Sequence, residues 1–173
     1  MESAQTLPSD SELLEQINTA LDRLGEIARY KRLPEVPAIC AALHRRMLVM
    51  VDDSPCVLAA YVPHLVATTR GKAAFVLHEE QDIAELVEET LAHTPDTVLM
   101  DYFLAGDLRG DEVARFLHER TNRAVPCIGF SSMSSAARYF ARVGSLAVTK
   151  SPSDPSTSLA EIAQIVAGYG KSM

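Results

Sequence analysis

The sequence predicts an α/β domain doubly wound around a five-stranded parallel sheet, and three observations predict it. Five short apolar runs recur between turn signals, which is how strands buried on both faces read. Each run is followed by a segment of helical periodicity, giving five βα units between Arg45 and the C-terminal end. Right-handed crossovers then place helices on both faces of the sheet. The third observation is chemical. Asp52 and Asp53 follow MLVMV, Asp101 follows TVLM, Ser131 and Ser132 follow CIGF, and Lys150 follows LAVT. Ligands of open parallel sheets bind at the carboxyl ends of the strands, so this order gathers acids, a hydroxyl and an amine at one edge.

The chain divides into an extension, residues 1–44, and the α/β domain, residues 45–173. Ser9 and Glu12 have capping-box spacing, so an amphipathic helix is expected after them. Leu14, Ile17, Leu21, Leu24 and Ala28 recur at spacings of three and four, and Leu13, Ala20 and Ile27 widen the stripe. Gly25 weakens that helix by about 1 kcal/mol relative to alanine. Pro34 and Pro37 end it, and a short apolar segment, AICAAL, leads into the domain. There the strands are MLVMV, AAFVLH, TVLM, CIGF and LAVT. The helices that follow them in turn are CVLAAYVPHLVATT, DIAELVEETLAH, EVARFLHERT, SSAARYFARVG and SLAEIAQIVAGYG. Pro63 is expected to kink the first.

At 173 residues, 47% hydrophobic and 23% charged, the chain has an ordinary globular composition. A net charge of −7 argues against a nucleic-acid surface, which needs a basic patch, and against an anionic membrane surface. No apolar run approaches the roughly 20 residues of a membrane span. The N-terminal MESAQTLPSDSE is polar and acidic, unlike a signal or transit peptide. Cys40, Cys56 and Cys127 show no CxxC spacing and read as reduced, buried thiols of a cytoplasmic protein. His64, His78, His93 and His118 lack metal-ligand spacing and read as surface or packing residues. His44 lacks the four-helix context of a phosphotransfer histidine.

Singly, each strand-end residue has an ordinary structural use. Asp52 or Asp53 could cap the helix before Pro55, the serines after CIGF could cap the next helix, and Lys150 could be a solvated loop residue. Jointly, they can hold a divalent cation and receive a phosphoryl group. A carboxylate can attack phosphorus, and phosphoryl transfer needs charge neutralisation and alignment more than covalent help.

VDDSP, LMDYFLAGDLRG, GFSS and VTKSP, in this order on these strands, resemble the motifs of receiver domains in two-component response regulators, over roughly residues 45–170. The resemblance implies a flavodoxin-like sheet of order 2-1-3-4-5. It implies Asp101 as phosphoacceptor and Mg²⁺ held by Asp52, Asp53, Asp101 and the backbone carbonyl of Phe103. Lys150 would meet one phosphoryl oxygen and the Ser131 hydroxyl another. The donor would be a sensor histidine kinase or a phosphotransfer protein, and the output a changed contact with a downstream protein. No DNA-binding output domain is expected, because the chain stops at the fifth receiver helix.

The motifs also depart from the family pattern. Ala105 stands where a proline is usual, and Gly110 follows Asp101 by nine residues rather than eight, so the intervening loop is one residue longer. Ser151 separates Lys150 from Pro152, which excludes a cis Lys–Pro bond and leaves Ser151–Pro152 open. The aromatic switch position, three before the lysine, is Ala147. Phe103 and Met133 occupy positions that tune phosphoryl lifetime, and both being apolar implies slow decay. Tyr139 and Phe140 offer aromatic surface or core nearby.

Two competing functions follow. A receiver that is not phosphorylated would be a constitutive binding module. A phosphatase of the haloacid dehalogenase type also uses a strand-end Asp, but wants a second acid where Phe103 stands. The extension holds seven acids against four bases, which disfavours DNA. Its stripe must bury against its own domain, a second copy as a homodimer, or a partner helix.

Overall fold

The computed structural model describes residues 15, 16, 19, 22, 23, 41–44 and 46–169. The domain alternates β1 (Leu48–Asp52), α1 (Pro55–Thr69), β2 (Ala73–Leu77), α2 (Ile83–Ala92), β3 (Thr97–Met100), α3 (Gly110–Arg120), β4 (Cys127–Ser131), α4 (Ala136–Arg142), β5 (Ala147–Thr149) and α5 (Pro155–Tyr169). The sheet order is β2-β1-β3-β4-β5, with every neighbouring pair parallel. All five predicted strands and their five helices are therefore present, in the order the resemblance implies.

The two-residue period of each strand divides the core in two. Leu48 and Met50 join Leu99, Ile128 and Phe130 on the face covered by α1 and α5. Val49 and Val51 join Val98, Met100 and Cys127 on the face covered by α2, α3 and α4. Every residue of β1, β3 and β4 is buried, which is why these runs show no polar alternation.

Local chemistry shifts several boundaries. The cap of α1 is neither Asp52 nor Asp53 but Ser54, whose hydroxyl accepts from Val57 N–H, with Pro55 opening the helix. Pro63 lies inside α1, which runs on to Thr69 and closes on left-handed Arg70 and Gly71. The helix α5 begins at Pro155, three residues before the predicted Ser158. Proline at the first turn costs no hydrogen bond, and Asp154 accepts from the Thr157 hydroxyl at 3.0 Å. The Ser151–Pro152 bond is trans, as are all others among the described residues.

Residues 15, 16, 19, 22 and 23 are helical, and the Thr19 hydroxyl donates to the Glu15 carbonyl at 2.9 Å. They lie against the domain. Glu15, Gln16 and Thr19 face Ala59, Ala60, Pro63 and His64 of α1 across a cleft, and Arg23 reaches Asp154 at 3.3 Å. The Ser9–Glu12 capping box and the apolar stripe fall outside the described residues. Among the described residues, no helix is long and apolar enough to cross a membrane.

Candidate functional site

Parallel strands end at the same edge of their sheet, and this brings the predicted residues together. Asp52 ends β1, Asp101 follows β3, Ser131 ends β4 and Lys150 follows β5. Lys150 is 6% exposed, Asp52 1% and Asp101 7%, so the charges meet in a nearly dry pocket. The Lys150 ammonium lies 2.5 Å from Asp52 Oδ2 and 3.0 Å from Asp101 Oδ1. Asp52 Oδ1 accepts from Ser54 N–H at 2.9 Å, and Asp101 Oδ1 from Tyr102 N–H at 2.8 Å. Asp53 is exposed at the rim. One carboxylate oxygen from each of Asp52, Asp53 and Asp101 lies within 4.8 Å of the others. Burial pushes the Asp101 carboxyl up to about 6; Lys150 pulls it back, and Asp52 adds to the rise.

The acceptor loop has its own scaffold. Gly110 N–H donates to Tyr102 C=O at 2.8 Å and Leu104 N–H to Leu108 C=O at 3.2 Å, so Phe103 and Arg109 form an isolated antiparallel bridge. In this non-hydrogen-bonded pairing the Phe103 carbonyl points away from Arg109. The turn at the loop's tip passes through Gly106, which has φ +67°. Gly110 sits against the backbone of the acceptor: a Cβ there would overlap the Asp101 carbonyl oxygen and lie 2.8 Å from its carbon.

The corner after Lys150 is held without a cis proline. Ser151 N–H donates to the Tyr61 hydroxyl at 2.9 Å, and the Ser158 hydroxyl donates to Thr149 C=O at 2.8 Å. The Tyr61 ring is fully buried against Phe130, with centroids 5.0 Å apart. Tyr61 thus does in this chain what the sequence left unassigned. Tyr61→Phe is expected to lower stability by about 1 kcal/mol, because Ser151 N–H keeps only its longer bond to the Ser158 hydroxyl at 3.3 Å. Urea unfolding measures it, and an unchanged midpoint would refute the assignment.

Ser131 is 4% exposed, and its hydroxyl oxygen accepts from Met133 N–H at 3.2 Å. The serines that read as helix caps are not: Ser135 occupies the position before α4 without a side-chain hydrogen bond. Ala147 leaves no ring beside Ser131. Aromatic side chains gather instead beside the acceptor. Tyr102 stacks on Tyr139 of α4 at 5.1 Å and meets the exposed Phe103 edge-on at 4.9 Å. Arg138 and Arg142 lie over the Tyr139 ring. Phe140 packs into the core against Gly129.

Sequence reasoning placed Asp52, Asp53, Asp101, Ser131 and Lys150 at the edge where they are found. It missed His78 and Tyr61. His78 carried the available signal, since it too directly follows an apolar run. It is no surface residue: at 3% exposure its ring joins the end of β2 to the acceptor loop.

A parallel sheet of this order, with acids, a serine and a lysine converging on its carboxyl edge, defines the receiver class of domains. Among solved structures, the chain is similar to a two-component response regulator of the LuxR family from an Aurantimonas species. Identity is 31% over 70% of this chain and 84% of that one, with a TM-score of 0.54. The CheY-like receiver domain protein of Methanospirillum hungatei, at 16% identity, 73% and 97% coverage and TM-score 0.59, shares the fold. So does the BeF3-activated DrrB receiver domain, at 19% identity, 70% and 97% coverage and TM-score 0.54. No protein-family model matches the sequence, and no curated protein matches it. The chain belongs to the response-regulator receiver family.

Proposed function

We propose that this protein is a cytoplasmic response regulator whose Asp101 accepts a phosphoryl group from a phosphohistidine of a sensor histidine kinase or phosphotransfer protein. The observation that supports this best is the Lys150 ammonium bridging Asp52 and Asp101 inside the pocket, with Asp53 at its mouth. An Asp101 carboxylate oxygen attacks phosphorus. A P–O bond forms as the P–N bond breaks, and the leaving imidazole nitrogen keeps the electron pair and takes a proton from water.

The clustered acid oxygens fit Mg²⁺, a hard cation that prefers a few carboxylates. Asp52, Asp53, Asp101 and the Phe103 carbonyl would hold it, and the bound ion would neutralise charge on the phosphoryl oxygens. Lys150 turns from the carboxylates to a phosphoryl oxygen. Ser131 gives up its bond from Met133 N–H and donates its hydroxyl to another.

That displacement reaches the surface through two routes. One is α4, through Met133 and the Tyr102–Tyr139 stack. The other is the β5–α5 loop, where Arg23 of the extension pairs with Asp154. The output is a changed contact with a downstream protein, with the extension taking part directly or as a homodimer surface. Phe103 and Met133 are apolar, offer no polar group to align an attacking water, and so slow hydrolysis.

Incubation with acetyl phosphate and Mg²⁺ is expected to add about 80 Da, the mass of a phosphoryl group, to the wild type and nothing to Asp101→Ala. No gain by a folded, Mg²⁺-binding wild type would overturn the phosphoacceptor role.

A further inference from the structure

His78 stands one residue beyond β2, at the sheet edge that carries the site. Its N–H donates to Asp52 C=O at 2.9 Å, and its side chain is almost fully buried. Both ring nitrogens have backbone partners of fixed polarity. Nδ1 lies 3.0 Å from Ala105 N–H, which can only donate, so Nδ1 carries no proton. Nε2 lies 3.0 Å from the Gln81 carbonyl, which can only accept, so Nε2 carries one. The network therefore assigns a neutral imidazole protonated at Nε2.

Ala105 opens the turn at the tip of the acceptor loop, two residues after Phe103. The loop's own hydrogen bonds, Gly110 to Tyr102 and Leu104 to Leu108, close its stem but leave the Ala105 N–H to an outside partner. His78 is that partner, and it ties the lengthened loop to the end of β2. With the stem fixed on one side and the tip on the other, the peptide plane carrying the Phe103 carbonyl has little freedom to turn.

We propose that His78 is a positioning residue for the cation site: as an Nδ1 acceptor it anchors Ala105 and so holds the Phe103 carbonyl in place as a ligand. This rests on the metal-dependent phosphoacceptor reading above. Outer partners of this kind typically change metal affinity about 10- to 100-fold when removed.

Two substitutions separate the acceptor from the bulk of the ring. The Oδ1 of His78→Asn can occupy the place of Nδ1 and accept from Ala105. The Nε2 of His78→Gln can occupy the place of the ring Nε2 and keep the bond to Gln81, but it offers Ala105 nothing. Calorimetric titration with Mg²⁺ alone is expected to show His78→Gln weakened by about tenfold and His78→Asn within about twofold of wild type. The Mg²⁺ concentration that half-saturates phosphorylation by acetyl phosphate is expected to rise about tenfold for His78→Gln and to stay within about twofold of wild type for His78→Asn. Long-range ¹H–¹⁵N spectra of the wild-type imidazole provide a reading that needs no variant and are expected to show the Nε2–H tautomer. An Nδ1–H tautomer would overturn the proposal, as would equal Mg²⁺ affinities for the two variants. Absence of Mg²⁺ binding by the wild type would instead overturn the phosphoacceptor reading and this inference with it.

Discussion

Gly110→Ala is expected to cost about 3 kcal/mol of stability and to slow Asp101 phosphorylation about 100-fold. The new methyl group would overlap the Asp101 carbonyl oxygen, lie 2.8 Å from its carbon and come within 3.0 Å of Met100 Cγ. The main obstacle is backbone, which cannot swing aside as a flexible side chain would. Either the Asp101 peptide shifts, or the start of α3 lifts and breaks the 2.8 Å bond from Gly110 N–H to Tyr102 C=O. Both displace the acceptor carboxylate relative to Lys150. Gly168→Ala is the matched control. It lies in α5 with nothing within 4 Å of an added Cβ, and it should stabilise by about 0.5–1 kcal/mol. Urea unfolding and intact-mass time courses read both effects. A Gly110→Ala protein as stable and as reactive as wild type would show that the close approach does not position Asp101.

Lys150→Met is expected to cost about 3–5 kcal/mol at neutral pH without Mg²⁺, because it leaves a buried carboxylate without its cation. Asp52 is 1% exposed and loses its 2.5 Å partner; Asp101 loses the group that pulls its carboxyl down. Burial already holds Asp101 up at about 6, so the variant's carboxyl rises further. A carboxyl raised in the folded state gives stability that is full below the unfolded value and is lost as pH rises through the folded value. The deficit should therefore be smaller near pH 4, where Asp101 is protonated in both proteins, and grow through about pH 6 and above. Mg²⁺ should recover part of it, because only the folded state binds the ion. Urea midpoints across this pH range test the claim; a deficit independent of pH would contradict it.

The expectations that held share one physical basis. Apolar runs such as LVMV and TVLM lack alternation because both faces of β1 and β3 are covered. The same runs fix where each strand stops, and in a parallel sheet all stops lie at one edge. Asp52, Asp101, Ser131 and Lys150 could therefore be placed together before any distance was known. Boundaries were less legible where a cap or close approach decided them. Pro155 opens α5 three residues before the apolar periodicity shows, and α3 begins at Gly110 because only glycine fits against Asp101.

The sheet, the edge and the residue types at the site are legible in the chain alone, because period and strand ends are local properties. How the unusual loops are held depends on packing between elements far apart in the chain. Tyr61 at the Lys150–Ser151 corner and His78 at the Ala105 turn act across 90 and 27 residues of sequence respectively. Such contacts leave no periodicity. A buried backbone N–H must find an acceptor, and which side chain supplies it is settled only when distant elements pack.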